Sequence, residues 1–113
     1  LSRLLERKDA TLDVVDGCVL TIRGEADFDS AGALAKAGRQ WLAEQAAESS
    51  VRFDLTGVEV ASSAVLSVLL VWVRSVQHHS LRLERVVLST PLQRLMDITE
   101  LTALMPAQET TCA

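Results

Sequence analysis

The alternation of apolar and polar positions divides the chain into short strands and three helices. Residues 11–15 are an apolar-rich run ending at Asp16-Gly17, a dipeptide that favours a tight hairpin turn, and residues 18–23 form the returning strand. In that second run Cys18, Leu20 and Ile22 fall on one face and Val19, Thr21 and Arg23 on the other, the period of two of a half-buried strand. Val51, Phe53 and Leu55 then alternate with Arg52 and Asp54, predicting a third strand that ends in a turn at Thr56-Gly57. Residues 81–88 supply a fourth strand of imperfect alternation. Residues 101–105 fit either a last short strand or a turn ahead of Pro106, and residues 1–8 fit a short helix or a tail.

Between these strands the period lengthens to that of a helix. Ser30 is placed as the N-cap of a helix over residues 31–48, in which Leu34, Ala37 and Trp41 share a side with Ala33 and Gln45, and Leu42 lies beside them. A second helix runs from Ser62 to about Gln77, closed by His78-His79-Ser80. The third has the strongest start signal: Thr90 as N-cap, Pro91 at the first helical position and Gln93 completing a capping box.

The second helix stands apart. At 100° per residue, Val65, Leu66, Val68, Leu69, Leu70, Trp72, Val73 and Val76 cover an arc of about 200°, where about 100° suffices to pack a surface helix on one neighbour. The remaining side carries Ser67, Val71, Arg74 and His78, so a β-branched apolar residue stands among polar ones. One sheet face does not cover such an arc, and the pattern raises the prior for a docking surface beside the core contact.

Composition narrows the function. A chain of 113 residues fits one domain with one core, and a formal charge of −4 argues against a nucleic-acid binder. Arg74, Arg82, Arg85 and Arg94 are interleaved with apolar residues rather than forming a basic run, which reads as a solvated rim. Cys18 and Cys112 make no disulfide framework, consistent with a reducing cytosolic setting. The longest apolar run, residues 64–73, is interrupted by Ser67 and is about half the roughly 20 residues that span a bilayer.

Candidate chemistry is sparse. Glu25, Asp27 and Asp29 crowd the loop before the first helix, but their spacing matches no calcium loop, and charge near a helix N-terminus is favourable on its own account, so no metal site is assigned. His78 and His79 are adjacent and cannot share a helical face for metal binding. Gly57 lacks the glycine-rich continuation that a phosphate loop needs, and no Ser-His-Asp arrangement supports a nucleophile. No catalytic residue and no cofactor are therefore expected. Ser62 and Ser63, at the start of the second helix, are the exception: Ser62 is a cap or a candidate phosphorylation site, and on local physics the cap reading leads.

The order of elements and the stretch DLTGVEVASSAVLSVLL resemble a STAS domain, the fold of anti-sigma factor antagonists. The resemblance spans residues 11–105, with residues 1–10 as an N-terminal tail or short helix and 106–113 as a C-terminal tail. Asp54-Leu55-Thr56-Gly57-Val58 matches the family's Asp-Leu-Ser-Gly-Val, Gly24-Glu25-Ala26-Asp27 its Gly-Glu-Leu-Asp, and Ser62 falls where the family places a phosphorylatable Ser or Thr. The family's Asp before that hydroxyl is here Ala61 and its following Gly is Ala64, which weakens the inference of a kinase substrate. The resemblance implies an α/β fold, a single domain with a small mixed sheet of about four to five strands and helices packed mainly on one face.

Within the family, Trp72-Val73-Arg74 and the PLQRLMDITELTALMP finish look most like the MlaB-type subunit of a phospholipid-transporting ABC system. That resemblance implies a non-enzymatic cytoplasmic subunit, peripheral to the inner membrane through its partner. It would bind a MlaF-like ATPase, support its assembly and activity, and so maintain outer-membrane lipid asymmetry, with no membrane insertion of its own. The contact surface it implies centres on Ser62, Ser63, Ser67, Val71 and Arg74, with Asp27 near its rim. The alternative implied by the same family is an anti-sigma factor antagonist, bound by a kinase-type anti-sigma factor and released on phosphorylation of Ser62.

Overall fold

Asp16 and Gly17 both adopt left-handed backbone, with φ of 54° and 74°, in the computed structural model, which describes residues 2–25, 28–60, 62–99 and 108–111. Those two values are what the turn between twisted antiparallel strands demands, and Asp and Gly tolerate them. The turn joins β2 (Ala10–Val15) to β3 (Val19–Gly24) with Val15 opposite Val19 and Leu12 opposite Ile22. The predicted hairpin is therefore present.

Helix α1 (Phe28–Ala43) leads to β4 (Ser50–Val58), which pairs parallel with β3, and α2 (Ser63–His78) leads to β5 (Arg82–Ser89), parallel to β4. The register sets Leu20 beside Phe53 and Phe53 beside Val86, so the buried face is continuous across the centre of the sheet. Arg52, Asp54 and Thr56 alternate with the buried residues of β4, and Arg23, Arg52 and Arg85 are exposed, which marks the opposite face as the polar one.

Two strands extend this core. Ser2–Glu6, where the sequence suggests a short helix or tail, is instead β1, antiparallel to β2. Its Arg3 Nε donates to the Asp13 carboxylate at 2.6 Å, and that bond, followed by one to Glu6, raises the arginine's pKa further above its already high value. At the other edge, Gln108–Thr111 forms β6, parallel to β5, after α3 (Thr90–Thr99). The sheet is mixed, α/β in class as expected, with six strands in the order β1-β2-β3-β4-β5-β6 rather than four to five. Residues 101–105, offered from sequence as a strand or turn, lie outside the described residues.

Four local expectations shift. Thr56-Gly57 is not a turn after the third strand but part of β4: the register moves from Thr21↔Asp54 to Arg23↔Gly57, leaving an extra residue on β4. Asp54 Oδ1 holds this bulge by accepting from the Thr56 amide at 3.0 Å and from its hydroxyl at 2.7 Å. Gly57 suits the place because a Cβ there would lie 2.9 Å from Arg23 Cγ. Helix α1 starts at Phe28, so Ser30 is not its cap but a residue of the first turn, only 2% exposed. It also ends at Ala43 rather than residue 48, because the Glu48 amide bonds the Ser80 carbonyl at 2.8 Å and Glu48 turns the chain into β4 with φ of 70°. The cap of α3 is Ser89, whose Oγ accepts from the Leu92 amide at 3.4 Å, one position before the expected Thr90.

Candidate functional site

Helix α2 begins at Ser62, which is extended at φ −143° and accepts a hydrogen bond on Oγ from the Val65 amide at 3.4 Å. That is the geometry of an N-cap, with the side chain satisfying one of the helix's otherwise unpaired donors. One turn on, Ser67 Oγ donates to the Ser63 carbonyl at 3.1 Å, so both hydroxyls are engaged with the helix backbone. At the far end His79 closes the helix, its amide bonding Ser75 and Gln77 carbonyls, and the His78 and His79 rings meet edge-on at 4.9 Å.

The wide apolar arc has an internal explanation. Val65, Leu69, Trp72 and Val76 are buried in the common core, and α1 lies alongside α2 to cover what the sheet does not. Gly38 permits the closeness, since a Cβ there would overlap the Trp72 indole. The indole packs edge-on to Phe53 at 5.3 Å and its Nε1 donates to the Ala35 carbonyl at 3.3 Å. The breadth of the arc, expected from sequence to point to a partner, is thus accounted for by α1 and the sheet together.

What remains uncovered is narrower. Ser63, Ser67 and Arg74 are exposed and Val71 half-buried, and they follow one another along a single stripe of α2 at intervals of three or four residues, with half-buried Ser62 at its start. Five of the six residues expected to form a contact surface are therefore brought together. Asp27 lies outside the described residues. His78 continues the stripe to the helix end.

Beside the stripe runs a groove that the sequence reading did not identify. Ala31, Gly32 and Ala35 of α1 face Ala64, Ser67 and Val71 of α2 across a depression of about 190 Å³, and Val71 also borders a second depression lined by Arg39, Arg74, His78 and His79. The signal for it in the sequence is the run of small residues Ala31, Gly32 and Ala35 on α1, beside the core-facing Leu34 and Ala37. Among the described residues no group of His, Cys, Asp and Glu is placed to hold a metal ion, and no helix is long and apolar enough to cross a membrane.

A family model described as "Mlab, STAS domain" matches residues 10–106, which hold the four strands β2 to β5 and all three helices. No curated protein matches the chain.

Proposed function

The chain belongs to the STAS-domain family, whose members are generally binding or regulatory domains rather than enzymes, and on that premise we propose that it is a MlaB-like interaction subunit. In this reading it docks the Ser62-led stripe of α2 on the MlaF-like ATPase of a phospholipid-transporting ABC system and supports that ATPase's assembly and activity. It contacts no lipid and reaches the inner membrane only through its partner.

The observation that carries the proposal is the division of α2 into two sides. Trp72, Leu69 and Val65 anchor one side rigidly in the core, while Ser63, Ser67, Val71 and Arg74 stand in a row on the other. A helix fixed by its own domain presents such a row with little ordering cost on binding. The half-buried Val71, flanked by short serines and an arginine, has the mixed character of an interface rather than of a purely solvated face.

Ser62 also supports the competing reading, an anti-sigma factor antagonist, because a phosphate at a helix N-terminus is favoured by the helix dipole. Affinity capture of the native protein followed by mass spectrometry separates the two. The ABC reading predicts an ATPase together with membrane subunits and an unmodified intact mass. Recovery of a kinase-type anti-sigma factor alone, with phosphate on Ser62, would refute it.

A further inference from the structure

The groove between α1 and α2 has two chemically different halves. Toward the N-terminus of α2, the walls are Ala31, Ala35, Ser67 and Val71, side chains short enough to leave an open apolar trough. Toward its C-terminus the lining becomes Arg39 and Arg74 with His78 and His79, around a depression of about 450 Å³. Val71 borders both, so the two depressions adjoin along α2. Neither half is lined by a carboxylate, and neither Arg39 nor Arg74 has an ion-pair partner among the described residues. A chain of net charge −4 thus carries an unneutralised cationic end on one groove.

We propose that this groove seats an amphipathic helix of a partner protein, with a large apolar side chain in the small-residue half and acidic residues against Arg39 and Arg74. The trough accepts apolar bulk because its own side chains supply almost none, and the arginines fix the direction of the incoming helix by charge. Ser67 and Arg74 are seven positions apart on α2, about 10 Å at 1.5 Å per residue. A roughly parallel or antiparallel partner helix therefore places its apolar anchor and its acidic residue about two turns apart, the spacing of helix-in-groove recognition. This inference rests on α2 being an interface but not on the partner being an ATPase.

Two synthetic helical peptides test it, each with a leucine ridge and carrying either glutamates or lysines two turns beyond it. Fluorescence anisotropy with the full chain is expected to show the glutamate peptide binding at least about tenfold more tightly, with a preference that shrinks as salt rises. Arg39→Glu combined with Arg74→Glu should reverse the preference, and Ser67→Leu, filling the trough from an exposed position, should weaken binding of the glutamate peptide while the thermal melt is retained. Equal affinity for the two peptides, binding of neither, a preference that survives the charge reversal, or a groove occupied by a second copy in sedimentation would each overturn the assignment. If the ATPase binds the chain while both peptides fail, the groove assignment falls and the proposed function stands. If the glutamate peptide binds as described but no ATPase is recovered, the reverse holds.

Discussion

Gly32 and Gly38 both lie inside α1, yet replacing each by alanine is expected to move stability in opposite directions. Alanine is favoured over glycine in a helix interior by about 0.8–1.0 kcal/mol, and this gain applies at both positions. A Cβ at Gly32 meets nothing within 4 Å among the described residues, so Gly32→Ala should stabilise the protein by about 1 kcal/mol. At Gly38 the same atom would fall on Cε2, Nε1 and Cζ2 of Trp72. The indole is poorly placed to yield: it is fully buried, packs edge-on to Phe53 at 5.3 Å and donates to the Ala35 carbonyl at 3.3 Å. Overpacking of about 1–3 kcal/mol and loss of a hydrogen bond of about 1 kcal/mol outweigh the helical gain, leaving a net loss of about 1–3 kcal/mol. With a urea dependence of about 2 kcal/mol per M, the unfolding midpoint falls by about 0.5–1.5 M for Gly38→Ala and rises by about 0.5 M for Gly32→Ala. Urea titration followed by far-UV circular dichroism measures both. A Gly38→Ala protein as stable as the parent would refute the account of how α1 and α2 pack.

Two further substitutions separate structure from contact. Ser62→Ala removes the α2 cap and should cost about 1 kcal/mol in thermal unfolding, whereas Ser62→Asp retains a capping oxygen and adds favourable charge at the helix N-terminus, so its melt should match the parent while partner affinity falls. Thr21, 4% exposed, holds its Oγ1 buried with no hydrogen-bond partner among the described residues, so Thr21→Val should leave the shape intact and stabilise by up to about 1 kcal/mol, read as a higher urea midpoint.

The elements legible in the sequence are those whose side chains announce the geometry. Asp16-Gly17 specifies its turn through backbone preference, Val51, Phe53 and Leu55 specify the buried face of β4, and Ser62 specifies the start of α2. The missed elements are specified by the strand they pair with rather than by a pattern of their own. Ser2–Glu6 becomes a strand because the edge of β2 offers it hydrogen bonds, and Gln108–Thr111 does so beside β5 without any apolar alternation of its own. The bulge at Asp54 to Gly57 looked like a strand end because its glycine answers to Arg23 on the neighbouring strand, not to a turn. The same reason explains the candidate site. The α2 stripe follows from helical spacing alone, but the groove beside it required knowing that α1 lies against α2 with its small residues turned toward Val71.

The central claim, that the outer side of α2 is the contact with an ABC ATPase, is tested most directly by titrating the purified ATPase subunit of the same cell against the parent chain and against Val71→Glu by calorimetry. Val71 is half-buried on the outer stripe and touches the edge of the core, so the variant should still fold cooperatively, with a thermal melt somewhat below the parent's. The account predicts saturable binding by the parent and loss of at least about tenfold in affinity for Val71→Glu, as a charge placed in an interface core requires. Binding that is unchanged in a folded Val71→Glu protein would contradict it, as would a parent chain that does not bind the ATPase at all.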